Sequence, residues 1–302
     1  MKVWFNGAML PIEGASVSVL DHGFLYGDGV FETLRAYDGV VFELEGHLRR
    51  LYRSLSLIRL DIGIEQEALA EAIYATLHEN SLVEAYIRVT VTRGVGEPGL
   101  DPALCSAPTV LVMARPFKPH LEGSIKAAIV KTRRNLSSAI DPRIKSLNFL
   151  NNIIARIEAK DALAQEALML NYRGHISECT VSNIFFVRDE ALYTPSLSCG
   201  ILDGITRGLV LQLARQEGIT TREGEYFPAT LYRASEVFVT NTSMEVMPVH
   251  GIDDIAYPIG SVTTRLSDSF AAYRDAYVKR KGRKERGGSA PLQNPLQGDQ
   301  SP

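Results

Sequence analysis

Cysteine is scarce in this chain. Cys105, Cys179 and Cys199 are odd in number, widely spaced and without a C-x-x-C pair, which argues against a disulfide framework and a cysteine-based zinc site. Free thiols are expected. The six histidines, His22, His47, His78, His120, His175 and His250, fall at no ligand spacing, so no metal is expected. Basic charge is not in excess either: a net charge of −3 and a pI near 6.1 give no field for nucleic acid. No window approaches the roughly 20 apolar residues of a membrane span. The opening Met1-Lys2-Val3-Trp4-Phe5-Asn6-Gly7 turns polar too soon for a signal peptide, and a cytoplasmic location is expected. The motifs G-x-x-x-x-G-K-[ST], H-E-x-x-H and G-x-S-x-G are missing. Gly94 to Gly99 matches G-x-G-x-x-G, but Pro98 and the following Leu100-Asp101-Pro102 do not open a helix. That stretch reads as a loop able to approach a ligand or close over one.

What the chain does have is 302 residues with 45% hydrophobic content, enough for two modest domains or one large one. Asn6-Gly7 between Val3-Trp4-Phe5 and Ala8-Met9-Leu10 predicts a hairpin, because that dipeptide tolerates two positive φ values. Val30 to Tyr37, the Asp38-Gly39 turn and Val40 to Phe42 predict a second. Helices are expected over 45–60 and 65–78, and strands over 86–92 and 109–113. Two prolines in Arg115-Pro116-Phe117-Lys118-Pro119-His120 suit an extended connector. Beyond it, strands at 125–131, 166–170, 184–187, 192–193 and 236–240 interleave with helices behind Lys145 and at 206–216. The expected fold is α+β / α/β in two domains: a small α+β domain at 1–114, a connector at 115–123, a larger barrel-like domain at 124–277 and a disordered tail at 278–302.

Lys145 stands between a proline-containing loop and a helical pattern. Leu147, Leu150, Ile153, Ile154 and Ile157 recur at three and four, with Asn151, Arg156, Glu158 and Lys160 opposite, which predicts one buried face. A lysine near a helix N-terminus and beside an apolar stripe is pushed toward its neutral, nucleophilic form.

Seven segments resemble, in order, the class IV aminotransferases, the pyridoxal-phosphate enzymes that include branched-chain and D-amino-acid aminotransferases and aminodeoxychorismate lyase. They are Asp21 to Glu32, His47 to Leu51, Tyr86-Ile87-Arg88, Lys145 to Asn148, Ser177 to Phe185, Gly204 to Arg207 and Thr240 to Val249, so the resemblance runs from about Met1 to Tyr277. It implies the family's two-domain fold and pyridoxal 5'-phosphate as cofactor. Lys145 would hold the cofactor as a Schiff base and move the proton, and Glu178 would keep the pyridine nitrogen protonated. Arg50, Ile205, Thr206 and Thr242 would bind the phosphate, and Leu202 would pack on the ring. For substrate, the resemblance implies Tyr86, Thr242 and Ser243 on the α-carboxylate and Arg88 on the side-chain carboxylate of glutamate. Tyr26, Phe31 and Arg35 would line the side-chain pocket.

The implied partners are small amino acids and 2-oxo acids, with 2-oxoglutarate as acceptor in a ping-pong reaction, and a second copy of the chain in a homodimer. Three features depart from the branched-chain pattern: Thr33 replaces a glycine, Phe149 replaces a tyrosine, and Glu178-Cys179-Thr180-Val181-Ser182-Asn183 differs from Glu-Gly-x-Gly-x-Asn. Residues 240–249 look more like the lyase. Tyr86-Ile87-Arg88 with the 94–102 loop looks like the branched-chain enzymes, and no histidine follows Arg88 as it would in the D-amino-acid enzymes. Branched-chain transamination is the favoured expectation, with the lyase or D-amino-acid activity as alternatives of the same fold. A non-catalytic pyridoxal-phosphate carrier would not need both Lys145 and Glu178.

Overall fold

The Asn6-Gly7 turn adopts φ values of 46° and 91°, the two left-handed residues that a tight hairpin requires, and joins β1 (Lys2–Phe5) to β2 (Ala8–Pro11) with Phe5 opposite Ala8. The computed structural model describes residues 1–119, 121 and 123–287. After the short helix α1 (His22–Tyr26) come β3 (Gly29–Tyr37), β4 (Val40–Val41), α2 (Leu44–Leu57), α3 (Gln66–Glu79), β5 (Ala85–Thr92) and β6 (Thr109–Pro116). These strands form an antiparallel sheet in the order β2-β1-β6-β5-β3-β4. Alternation along β3 decides what each face does. Val30, Leu34 and Ala36 are buried in the apolar core that also holds Leu48, Leu51 and Leu55 of α2 and Leu69 and Ile73 of α3, while Phe31, Thr33, Arg35 and Tyr37 face the other way.

The second body comprises β7 (Ile125–Ile129), α4 (Leu150–Asp161), β8 (Glu166–Leu170), β9 (Ile176–Cys179), β10 (Asn183–Arg188), β11 (Ala191–Pro195), α5 (Ile205–Gln216), β12 (Thr221–Gly224), α6 (Pro228–Leu231), β13 (Glu236–Asn241), β14 (Glu245–Ile252), β15 (Ile255–Ala256) and α7 (Ser261–Gly287). Its sheet runs β12-β11-β10-β13-β14-β7-β8-β9, with β15 on β14, and mixes parallel pairs with antiparallel ones. A separate antiparallel sheet with its own helices and a larger mixed sheet are what the α+β / α/β expectation describes.

Three expectations are corrected. The helix after Lys145 begins only at Leu150, and its aliphatic stripe is not the buried face: Leu150 is 68% exposed, Ile153 52%, Ile154 43% and Ile157 55%. Ala155 and Ala159 are fully buried instead, against Ala128, Ala167 and Met169. Small residues let the helix lie close on the sheet, which turns the large side chains outward. Second, the connector begins after Pro116, since β6 pairs Arg115 with Tyr86 and Pro116 with Ala85. Third, residues 278–287 continue α7, with Val278 packed on the core around Phe42 and Phe270 and Lys281 bonded to Glu45. Residues 288–302, the rest of the expected tail, lie outside the described residues. Among the described residues no helix is long and apolar enough to cross a membrane.

Candidate active site

Lys145 is fixed by its backbone. Its carbonyl accepts from Phe31 N at 2.9 Å, its amide donates to Ser54 Oγ at 3.3 Å, and Leu147 N donates to Gly29 O at 2.9 Å. The lysine loop thereby adds to the end of β3, and the first sheet positions a residue that belongs to the second body. The ammonium sits 4.6 Å from the centre of the Phe31 ring. Burial, reinforced by the Arg50 and Arg88 charges, lowers its pKa to about 8 against the opposing pull of Glu32 and Glu178. The sequence expected a lowered value from the helix end; the structure supplies it from burial and the two guanidiniums, because α4 starts five residues later.

Arg50 is held rigidly. Its Nε and Nη2 donate to both oxygens of Glu32 at 2.6 and 2.8 Å, its Nη1 donates to the Asp203 carbonyl at 3.0 Å, and Glu32 also accepts from His47 Nδ1 at 2.8 Å. Burial alone would raise the Glu32 carboxyl, but the Arg50 charge and the bonds from Arg50 and His47 outweigh it and hold the group well below the usual range. His47 is pushed down by its own burial and stays neutral near pH 7. The result is a buried, oriented guanidinium beside the start of α5. There Gly204 is the N-cap and offers no side-chain cap to the helix amides; a Cβ on it would lie 2.0 Å from Asn183 Oδ1. Uncapped amides at a helix start, next to a cation, suit a phosphate.

On the far wall Glu178 accepts from Arg134 Nε at 2.8 Å through Oε1, and from Asn183 Nδ2 at 3.1 Å and the Leu202 amide at 2.9 Å through Oε2. The carboxylate is thereby aimed into a cavity lined by Arg50, Lys145, Glu178, Leu202, Ile205, Thr206 and Thr242. Those are all seven residues that the sequence offered for the cofactor. Thr240 Oγ1, on the same wall, is buried without a partner among the described residues. The Arg50 guanidinium beside uncapped helix amides, the Glu178 carboxylate and the Lys145 amine line one cavity, and that donor set fits pyridoxal 5'-phosphate.

Lys145 also lines a second cavity of about 560 Å³, on the side of the first sheet. Phe31, Tyr86, Arg88, Thr242 and Ser243 stand there as the sequence offered them. The guanidinium of Arg88 lies 3.9 Å over the Phe31 ring, and its Nε donates to Thr90 Oγ1 at 3.1 Å. Thr33 places its hydroxyl 3.4 Å from Tyr86 OH, so this departure gives the phenol a partner. Phe149 meets Phe31 edge-on at 5.2 Å and extends the apolar wall. The Ser243 amide, however, already donates to Asn241 Oδ1 at 2.9 Å.

Two candidates are not brought to this cavity. Tyr26 accepts from the Gly99 amide at 3.0 Å in the 94–102 loop. Arg35 is two residues beyond Thr33 on the same strand face and stacks on Phe117 at 3.2 Å and Tyr37 at 4.4 Å. Sequence reasoning missed Glu32, which stands on the core-facing side of β3 between Val30 and Leu34, a position where a carboxylate needs a partner. It also missed Arg134, for which no spacing gives a signal.

With this geometry in place the comparisons are specific. Residues 29–252 match the family model described as amino-transferase class IV. A protein of Methanocaldococcus jannaschii, provisionally named a branched-chain-amino-acid aminotransferase, is 44% identical over 278 residues, covering 91% of this chain and 96% of the relative. The chain belongs to the class IV aminotransferases. It is accordingly a pyridoxal-phosphate-dependent aminotransferase, as the sequence resemblance implied. The aminodeoxychorismate lyase of Bacillus subtilis is a more distant relative, 32% identical over 84% of this chain and 88% of its own length. Among solved structures, the T.th. branched-chain amino acid aminotransferase, complexed with N-(5'-phosphopyridoxyl)-L-glutamate, superposes with a TM-score of 0.86 at 32% identity, covering 92% of this chain and 96% of that one.

Proposed function

We propose that the chain transaminates branched-chain L-amino acids with 2-oxoglutarate as acceptor, in a ping-pong reaction. One observation carries the reading: Phe31 and Arg88 place an apolar wall and a guanidinium in one pocket, beside the reactive amine. Arg88 has no carboxylate partner among the described residues. A leucine side chain packs on the wall, and the distal carboxylate of glutamate meets the cation. The family relatives named as branched-chain enzymes support this, and so does the glutamate adduct of the T.th. enzyme.

When bound, pyridoxal phosphate supplies an electrophilic carbonyl and a ring that draws electrons from the substrate Cα. Arg50, the amides of Ile205 and Thr206 and the Thr242 turn would hold the phosphate, Leu202 would pack against the ring, and Glu178 would hold a proton at the ring nitrogen. Lys145 Nζ would provide the amine that holds the cofactor and the base for the substrate Cα proton, a task suited to a group whose pKa is about 8. The Tyr86 phenol and the 242–243 turn bind the α-carboxylate.

Loss of a charge-assisted bond to a desolvated carboxylate costs roughly 2–5 kcal/mol, whereas an apolar side chain loses only packing. Arg88→Leu is therefore expected to impair the 2-oxoglutarate half-reaction far more than the leucine half-reaction, each followed by the cofactor spectrum. Equal impairment of both would remove Arg88 from the role.

The same reading makes the protein a homodimer. Leu150, Ile153, Ile154 and Ile157 of α4, with Phe24 of α1 at 71% exposure, leave apolar surface of the kind that marks an interface. Sedimentation is expected to give twice the 33.3 kDa of one chain; a fully active species of 33.3 kDa would refute it.

A further inference from the structure

The side chain of Arg115 has no assigned role, and its position is set by strand register. In the first sheet, Thr33 of β3, Arg88 of β5 and Met113 of β6 stand opposite one another, and the next row on the same face is Arg35, Tyr86 and Arg115. Directly paired residues project to the same side, and same-face rows are two residue rises apart, roughly 7 Å. Arg88 and Arg115 therefore emerge on one face, one row apart, and both line the cavity that contains Lys145. Each guanidinium rests on an aromatic ring, Arg88 at 3.9 Å over Phe31 and Arg115 at 4.7 Å over Tyr86. Neither has a carboxylate partner among the described residues. The other two arginines of the cleft are different, since Arg50 is paired with Glu32 at 2.6 Å and Arg156 with Glu166 at 3.5 Å. Two arginines one row apart on neighbouring strands, both unneutralised, give this face a charge of +2 that favours anions.

We infer that Arg115 is a specificity-determining residue. Together with Arg88 it makes a two-cation wall that selects dicarboxylate ligands, 2-amino and 2-oxo acids with a second carboxylate at the end of a short chain, over monocarboxylates of similar size. The inference rests on the proposed reading for the location of the substrate, but the wall itself is a property of the sheet. A dianion whose α-carboxylate is held at Tyr86 and the 242–243 turn brings its second carboxylate to the two guanidiniums, whereas a monoanion held in the same way brings no charge to them. Arg115 is exposed at the rim of the cavity and makes no core contact, so the effect of replacing it is readable without loss of fold.

The test is calorimetric binding to the holoenzyme of glutarate, a dicarboxylate, and 4-methylpentanoate, an apolar monocarboxylate, with wild type, Arg115→Gln and Arg115→Lys. In wild type glutarate is expected to bind more tightly. In Arg115→Gln its affinity is expected to fall about tenfold or more, the size of one charge-assisted bond, while the ratio of the two affinities moves toward unity. Arg115→Lys should restore part of the ratio, because it keeps the charge without the planar fork. A structural role would weaken both ligands together and leave the ratio unchanged. Unchanged ratios, or a wild type that does not prefer glutarate, would overturn the inference. Leucine turnover by the same wild-type preparation reports separately on the proposed reaction.

Discussion

Replacing Lys145 by alanine is expected to leave a folded protein whose transamination is lower by roughly 10⁴-fold or more, since in the proposed function one amine serves as both nucleophile and proton carrier. The lysine side chain belongs to no core cluster, and the bonds that fix its loop come from the backbone at Lys145 and Leu147. The stability of the cofactor-free protein should move the other way from activity. Burial first, then the Arg50 charge, lowers the amine from 10.5 to about 8. Below pH 8 the lysine is protonated in both the folded and the unfolded chain, and the folded chain carries the full penalty of a buried charge. Between pH 8 and 10.5 only the unfolded chain keeps the proton, so stability rises with pH through that window. Lys145→Ala should therefore melt no lower than wild type at pH 7, with the difference shrinking above pH 8. Thermal melting across pH, together with turnover, checks both halves. Turnover within tenfold of wild type would remove Lys145 from the chemistry.

The second large effect is expected at Glu178. Glu178→Gln keeps the shape and removes the charge proposed to face the ring nitrogen, and a loss of roughly 10²–10³ in turnover is expected, the scale of one preorganised electrostatic contact. The surroundings favour the anion: Arg134, Asn183 and the Leu202 amide all donate to it. Glutamine can satisfy only part of that set, which leaves the Arg134 guanidinium without its counter-charge. Measuring the melting temperature beside the rate separates the two consequences. An unchanged rate in a folded variant would rule out the carboxylate as the group that holds the proton.

How far these residues could be read from the sequence depended on the range of the interaction involved. The hairpin at Asn6-Gly7 was legible because two φ values are local properties of two residues. The residues that the resemblance offered for the cofactor, Arg50, Lys145, Glu178, Leu202, Ile205, Thr206 and Thr242, line one cavity. The buried face of α4 was not legible, because helical periodicity shows a stripe but not which body covers it. Ala155 and Ala159 won the sheet contact by being small, and the isoleucines were left outward. Glu32 carried a signal that spacing alone did not decode, a carboxylate on the core side of an alternating strand, and its partners His47 and Arg50 lie on α2, 15 and 18 residues away. Arg115 looked like part of a proline-bounded connector; only the pairing of β5 with β6 turns it into a neighbour of Tyr86. Tyr26 and Arg35 share the sequence neighbourhood of Phe31 but not its place, since Arg35 lies two rows away along β3 and Tyr26 sits on α1 beside the 94–102 loop.

The most direct measurement is a single half-reaction: mixing the holoenzyme with L-leucine alone and following the cofactor spectrum together with the released 2-oxo acid. The expected result is rapid conversion of the cofactor to its amino form, with one equivalent of 4-methyl-2-oxopentanoate per site. Inert L-leucine, with rapid conversion by D-alanine or D-glutamate instead, or pyruvate release from aminodeoxychorismate, would contradict branched-chain L-amino-acid transamination.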